Sequence, residues 1–73
     1  MEYENIKVGM RVKINLDKKE EYYNEEYDGR EGRVFFVGDK DDDEYCVDVN
    51  VEKLDGKVEV GILFKCSELE EVD

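Results

Sequence analysis

The chain has 73 residues, of which 22 are acidic and 11 are basic, and its formal net charge at pH 7 is −11. A field of this sign repels phosphates and anionic membrane surfaces, and it attracts cations and basic proteins. The composition therefore argues against direct binding to nucleic acid or to a membrane.

Residue types that support catalysis are scarce. The chain contains no histidine, so its candidate nucleophiles Ser67, Cys46 and Cys66 have no imidazole to activate them. A domain of this length also has little volume for a cleft that excludes water and raises the pKa of a carboxyl group. We therefore expect a protein that is not an enzyme and needs no cofactor.

Length and hydropathy predict one acidic domain, residues 1–73, in the cytoplasm. No apolar run approaches the roughly 20 residues that span a bilayer. Residues 1–5 are acidic, unlike a secretory leader. Two cysteines are too few for the disulfide framework of a small secreted protein.

The first predicted strand covers residues 11–16 and follows a turn at Gly9. Apolar and polar residues alternate along it, which is typical of a strand with one buried face. The core-facing residues are Val12, Ile14 and Leu16.

A polar segment at residues 17–31 separates the first strand from the second. It ends in a turn where Gly29 and Gly32 offer two chances for a positive φ angle. The second predicted strand covers residues 33–37, and a charged hairpin loop follows it at residues 39–43.

Alternation continues in two further predicted strands, residues 44–51 and 57–64, which are joined by a hairpin at Asp55-Gly56. Their core-facing residues are Tyr45, Val47, Val49 and Val51 in the third strand, and Val58, Val60, Ile62 and Phe64 in the fourth.

A helical or 3-10 turn at residues 67–70, capped by Ser67, and a rung of a short last strand at Val72 complete the chain. Four or five short strands in a chain this short favour a small, strongly bent, all-β barrel over a flat sheet, because a flat sheet exposes its edges and one apolar face.

The segment Gly29-Arg-Glu-Gly-Arg-Val34, with Tyr45-x-Val-x-Val49 downstream, resembles the KOW-type SH3-like barrel. Val8-Gly9-Met-Arg-Val12 is similar to the opening strand of that family, and residues 64–70 are similar to its closing turn. The resemblance implies a five-stranded SH3-like barrel with a short C-terminal helical turn. These motifs identify a fold more than a function.

By charge, the chain resembles the small acidic DNA-mimic proteins encoded by bacteriophages. The resemblance implies a phage inhibitor that acts in the bacterial host cytoplasm and covers the DNA-binding surface of a basic host protein, such as an HU-type nucleoid protein or RNA polymerase. A duplex segment about 25 Å long carries about 15 charges, and a domain of this size is about that wide.

Under this interpretation, carboxylates pair with the cations of the target, and Tyr22 and Tyr23 add contact area. The predicted partner-binding residues come from the long polar segment, the hairpin loop and the C-terminal turn. They are Glu20, Glu21, Tyr22, Tyr23, Glu25, Glu26, Asp28, Asp41, Asp42, Asp43, Glu44, Glu68, Glu70 and Glu71.

Two other functions remain open at this point. The first is an SH3-like adaptor that binds its partners through an apolar groove, with the acid only a solubilising coat. The second is RNA binding through the basic side chains Arg11, Lys13, Arg30 and Arg33. A steep loss of binding with salt distinguishes mimicry from groove binding.

Phe35 and Val37 alternate with the core-facing Val34 and Phe36 of the second strand, and Leu63 alternates with the core-facing residues of the fourth. All three therefore point away from the predicted core. Either the tyrosines of the long polar segment cover Phe35, or these residues form the seam of a homodimer.

The cysteines and the aspartate run allow further interpretations. Cys46 is expected to be partly exposed and Cys66 buried, facing apart, so no disulfide is expected. Residues 39–44 do not match an EF-hand loop, because the sixth position from Asp39 is Glu44 and the twelfth is Asn50. A weak divalent-cation site there stays open, and no other metal site is expected.

Overall fold

The computed structural model describes residues 1–72. In chain order it contains a 3-10 turn Tyr3–Asn5, β1 Arg11–Ile14, β2 Glu31–Val37, β3 Val47–Glu52, β4 Val58–Phe64, a second 3-10 turn Cys66–Glu68, and β5 Leu69–Glu71. The strands form one antiparallel sheet in the order β4-β3-β2-β1-β5.

The prediction of an all-β fold with five strands and a short C-terminal helical turn is confirmed. The edge strands are β4 and β5, and residues 1–72 form no ladder between them. Closure of the sheet into a barrel therefore stays a prediction. No helical segment within the described residues is long and apolar enough to cross a bilayer.

The core lies on one face of the sheet and is made of small branched side chains. Val12 and Ile14 of β1 alternate with half-buried neighbours, as the sequence predicts, and Leu16 beyond the strand is half-buried. The remaining buried apolar residues are Ile6, Val34, Cys46, Val47, Val49, Val51, Phe64 and Leu69. Because each fully buried side chain contributes only about 1.5–3 kcal/mol, such a thin core leaves little margin for substitution.

A β-bulge in β2 reverses the predicted sides of Phe36, which is exposed, and Val37, which packs against the core. Val34 pairs with Val49, but Phe36, not Phe35, pairs with Asp48, so one extra residue is accommodated between the two pairs. Phe35 and Phe36 are consequently both on the solvent side, 63% and 58% exposed. The prediction that Phe36 faces the core is wrong, since strict alternation does not allow for the inserted residue.

A second bulge in β4 has the same effect on its first half. Val49 pairs with Ile62 and Val51 with Glu59, so two residues, Val60 and Gly61, stand opposite Asn50. Gly61 has a φ of 78°, which costs least for a residue without Cβ. Val58 and Val60 are therefore exposed, and their predicted core positions are wrong.

The boundaries of two elements also differ from prediction. β3 begins at Val47 rather than at residue 44, because Oδ1 of Asp43 accepts the backbone N–H of Tyr45 and holds the preceding residues in a turn. Lys65, not Ser67, is the N-cap of the second 3-10 turn. Val72 lies just past β5, yet its N–H donates to the carbonyl of Arg11.

Candidate functional site: two acidic loops and a tyrosine groove

The long loop between β1 and β2, residues 15–30, is organised around Asp28. Its Oδ1 accepts the backbone N–H of Leu16 at 2.9 Å, and its Oδ2 accepts the hydroxyl of Tyr23 at 3.1 Å. The bond from Leu16, aided by that from Tyr23, lowers the pKa of Asp28. Asp28 and Tyr23, both predicted to contact a partner, thus hold the loop in shape.

The loop between β2 and β3, residues 38–46, is shaped by its own aspartates. Oδ1 of Asp39 accepts the N–H of Asp41 at 2.9 Å, in the manner of an Asx turn. These bonds leave Asp41, Asp42 and Glu44 exposed at the loop tip. A turn built from short acidic side chains therefore presents further carboxylates to solvent.

Lys65 lies where the three predicted acidic segments meet. Its Nζ is 3.6 Å from Oε1 of Glu20 and 5.5 Å from the ring centroid of Tyr45. Partial burial alone lowers the pKa of Lys65, but the nearby charges of Glu20, Glu68 and Glu44 outweigh it and raise the pKa. Lys65 neutralises part of the negative charge of these three glutamates, and the local charge stays negative because three acids surround one lysine.

The predicted acids divide into paired and unpaired groups. Glu20 pairs with Lys65, while Glu26 lies 3.8 Å from Lys53, near the hairpin between β3 and β4. Glu68 accepts the N–H of Lys65, and Asp43 caps its own loop. Seven exposed predicted acids make no ion pair, and their side chains accept no hydrogen bond, within residues 1–72. We call them the acidic set: Glu21, Glu25, Asp41, Asp42, Glu44, Glu70 and Glu71.

Tyrosines of the long loop line a groove of about 170 Å³ against β4. Tyr22 is 77% exposed at its mouth, whereas the ring of Tyr27 packs edge-on against Phe64 with centroids 6.2 Å apart. Tyr45 lines the same groove. The tyrosines therefore cover Phe64 and not Phe35, and the prediction that they cover Phe35 is wrong.

Tyr45 and Lys65 are site residues that the sequence interpretation missed. The alternation pattern predicts Tyr45 on the core face of β3. In the structure Tyr45 precedes β3, in the turn held by Asp43, and its ring lines the groove. Burial first, and then the charges of Glu68 and Glu44, raise the pKa of Tyr45 against the opposing effect of Lys65. The alternation pattern contains no indication of either role.

The hydroxyl of Tyr27 donates to Oε2 of Glu59 at 2.6 Å, and this bond, together with burial, raises the pKa of Tyr27 to about 12. The folded state holds this proton more tightly than the unfolded state, so the bond stabilises the fold fully below pH 10 and ceases to do so as the pH rises towards 12. We expect Tyr27→Phe to cost about 1 kcal/mol near pH 8.

Urea denaturation of the wild type and Tyr27→Phe at several pH values tests this expectation. The difference in unfolding free energy between the two proteins should narrow between pH 10 and pH 12. The other titrating groups are present in both proteins, so their contributions to this difference cancel. A gap that stays constant across this range would contradict the role of the Tyr27 proton.

Two arginines on the sheet form side-chain bonds within the chain, one of them extensively. Arg11 donates to Glu52 through both terminal nitrogens, at 3.0 and 2.6 Å, and its Nε donates to Glu31 at 3.0 Å. The bond to Arg11 lowers the pKa of Glu52. Arg33 donates to the carbonyl of Gly9. The guanidinium of Arg11 is therefore occupied by carboxylates, whereas Arg33 is exposed and uses a single donor.

The two cysteines reverse their predicted burial. Cys46 is 6% exposed and Cys66 is half-buried, and both are free thiols. Burial, followed by the neighbouring Cys66 thiol, raises the pKa of Cys46. Cys66 packs against the core cluster to which Cys46 belongs.

Within residues 1–72, no group of three or more acidic or cysteine side chains is arranged to hold a metal ion, the run at residues 39–44 included. No family model, curated protein or solved structure matches the chain. The resemblances to KOW-type barrels and to DNA mimics thus stay predictions.

Proposed function

We propose that this chain is an acidic DNA mimic that binds a basic nucleic-acid-binding protein in the bacterial cytoplasm and blocks its DNA-binding surface. One observation carries the proposal: the seven carboxylates of the acidic set are exposed and have no cationic partner within residues 1–72. An HU-type nucleoid protein and RNA polymerase are candidate targets, and a phage origin follows from the same proposal.

Size and charge support mimicry. The domain measures 33 × 28 × 21 Å. A duplex segment about 33 Å long carries about 20 phosphate charges. The chain has 22 acidic residues and a net charge of −11. Its charge density is therefore within a factor of two of the polymer that it imitates, enough to compete for the same lysines and arginines.

The proposed mechanism is competition for cations. Carboxylates of the loop tip, such as Asp41, Asp42 and Glu44, pair with the basic residues that phosphates otherwise neutralise. Tyr22, which is mostly exposed, supplies contact area at a small cost in conformational entropy. The mimic catalyses no reaction and needs no cofactor for this role.

Direct RNA or DNA binding fits this arrangement poorly. Arg11, Lys53 and Lys65 pair with internal carboxylates, and acidic residues outnumber basic ones by 22 to 11, so the field of the domain repels phosphates. Binding to phosphates releases counterions only where free cations face the nucleic acid. The partners proposed for the chain are therefore proteins.

A second candidate function is an adaptor that binds peptides in the tyrosine groove. The observation that favours it is the groove itself, which is lined by Tyr22, Tyr23, Tyr27 and Tyr45 against β4. Aromatic grooves take extended peptides largely through packing. Such binding depends only weakly on salt, whereas pairing of exposed charges is screened.

Capture from a bacterial lysate on the immobilised domain tests the proposal. We expect a basic DNA-binding protein to bind at about 50 mM salt and to elute before about 300 mM, as screening shortens the reach of exposed charges. Retention of neutral or acidic proteins through the gradient, with no basic DNA-binding protein enriched, would favour the adaptor instead.

A further inference from the structure

The two bulges place an apolar patch on the side of the sheet opposite the core. We call this patch the outer face: Phe35, Phe36, Asp48, Val60 and Leu63. Phe36 and Leu63 flank Asp48 directly in the strand register, one from β2 and one from β4. All four apolar members are at least half exposed. Soluble domains rarely leave such a cluster uncovered without using it for binding.

A carboxylate at the centre of the outer face lacks a partner. Oδ1 of Asp48 is closed off from solvent and accepts no hydrogen bond from any residue in the range 1–72. The side chain also lines a shallow pocket of about 300 Å³ with Phe35, Asn50, Val60 and Gly61. Leaving a charged oxygen without a donor among apolar groups is unfavourable. Oδ2 of the half-buried Asp48 is not closed off, so a cation from another molecule can bind the carboxylate there and offset that cost.

We propose that the outer face docks a protein segment that carries apolar side chains around a single lysine or arginine. The apolar side chains cover Phe36 and Leu63, and the cation donates to Asp48. Charge complementarity selects this occupant, since an arginine or lysine donor is the best partner for a carboxylate in an apolar setting. The surface is separate from the acidic set, so this proposal stands or falls independently of DNA mimicry.

A second copy of the chain is a poorer occupant. Each copy has a net charge of −11, so association is opposed by repulsion. A face-to-face pair also brings two Asp48 carboxylates into one apolar interface and supplies neither with a donor. The homodimer remains an outcome that the experiment must detect.

Selection of peptides from a random displayed library, at about 300 mM salt to screen the acidic set, tests the proposal. We expect enriched peptides to contain apolar residues around one Lys or Arg. Their affinity should fall about tenfold for Asp48→Asn and for Leu63→Ser. Leu54→Ser should bind as the wild type does, because Leu54 is 86% exposed at the hairpin tip, outside the outer face.

The stability of the unbound protein supplies a second measurement. We expect Asp48→Val to raise the urea midpoint more than Asp41→Asn does, since both remove one charge but only Asp48 has an oxygen buried without a donor. A lower midpoint for Asp48→Val, no peptide enrichment, enrichment without a cation, or a dimer seated on this face in sedimentation would each overturn the proposal.

Discussion

Gly32→Ala is expected to destabilise the domain by about 3 kcal/mol or more. Gly32 lies inside β2, where a Cβ atom would be 2.3 Å from the carbonyl oxygen of Asn50 and 2.9 Å from Cγ1 of Val49. The first of these atoms belongs to the backbone of the paired strand, so β2 and β3 must separate locally to admit a methyl group. Equilibrium urea denaturation followed by circular dichroism measures the loss.

Gly38→Ala is the matched control. A Cβ at Gly38 would be 3.4 Å from the carbonyl oxygen of Cys46, an ordinary contact, and its φ is not positive. We expect a change of less than about 1 kcal/mol. Similar midpoints for the two variants would contradict the close approach of β2 and β3 at Gly32.

Asp41→Asn combined with Asp42→Asn is expected to weaken binding to the captured basic protein about tenfold at low salt. Both side chains are exposed at the loop tip. An exposed ion pair contributes up to about 1 kcal/mol, so the loss of two pairs amounts to about one order of magnitude. Isothermal titration at two salt concentrations should show the difference shrinking as screening increases.

Glu2→Gln combined with Asp55→Asn is the control with the same change in net charge. Both residues are exposed, neither forms an ion pair within residues 1–72, and neither belongs to the predicted binding residues. After the Asp55→Asn change, the side-chain amide oxygen still accepts the N–H of Lys57. We expect an effect of less than about threefold, since only the long-range field changes. Equal losses in the two double variants would mean that total charge, and not the loop tip, controls binding.

Much of the sheet could be predicted from alternation. Val12 and Ile14 in β1 and Val47, Val49 and Val51 in β3 are buried as expected, because each strand is regular and has one buried face. The hairpin at Asp55-Gly56 is also confirmed by the pairing of β3 with β4. In a regularly paired strand, successive side chains point to opposite faces, so the alternation of apolar and polar residues predicts which of them are buried.

The errors in the sheet come from single inserted residues. Phe36 and Val60 face solvent because a bulge in each strand shifts the alternation by one residue, and the alternation pattern alone does not distinguish a bulged strand from a regular one. Gly61 offers a hint of the second bulge, because glycine inside a strand often marks one. Alternation therefore predicts Phe35 and Leu63 of the outer face away from the core, as the structure has them, but not Phe36 and Val60.

The candidate site was predicted by composition better than by geometry. Exposed acids such as Glu21, Asp41 and Asp42 lie in loops, as their highly charged segments of sequence predict. The internal roles of Asp28 and Tyr23 depend on the fold of the long loop, and so does the contact of Lys65 with three acidic segments. Such long-range contacts have no local pattern in the sequence.

Competition for DNA tests the central proposal most directly. A labelled duplex is bound to the basic protein recovered in the low-salt capture, and the domain is added while fluorescence anisotropy is recorded. We expect the duplex to be released as the domain is titrated, with more domain required as salt increases, and we expect no change in the anisotropy of the duplex alone. A duplex that stays bound while the domain joins the complex would contradict mimicry.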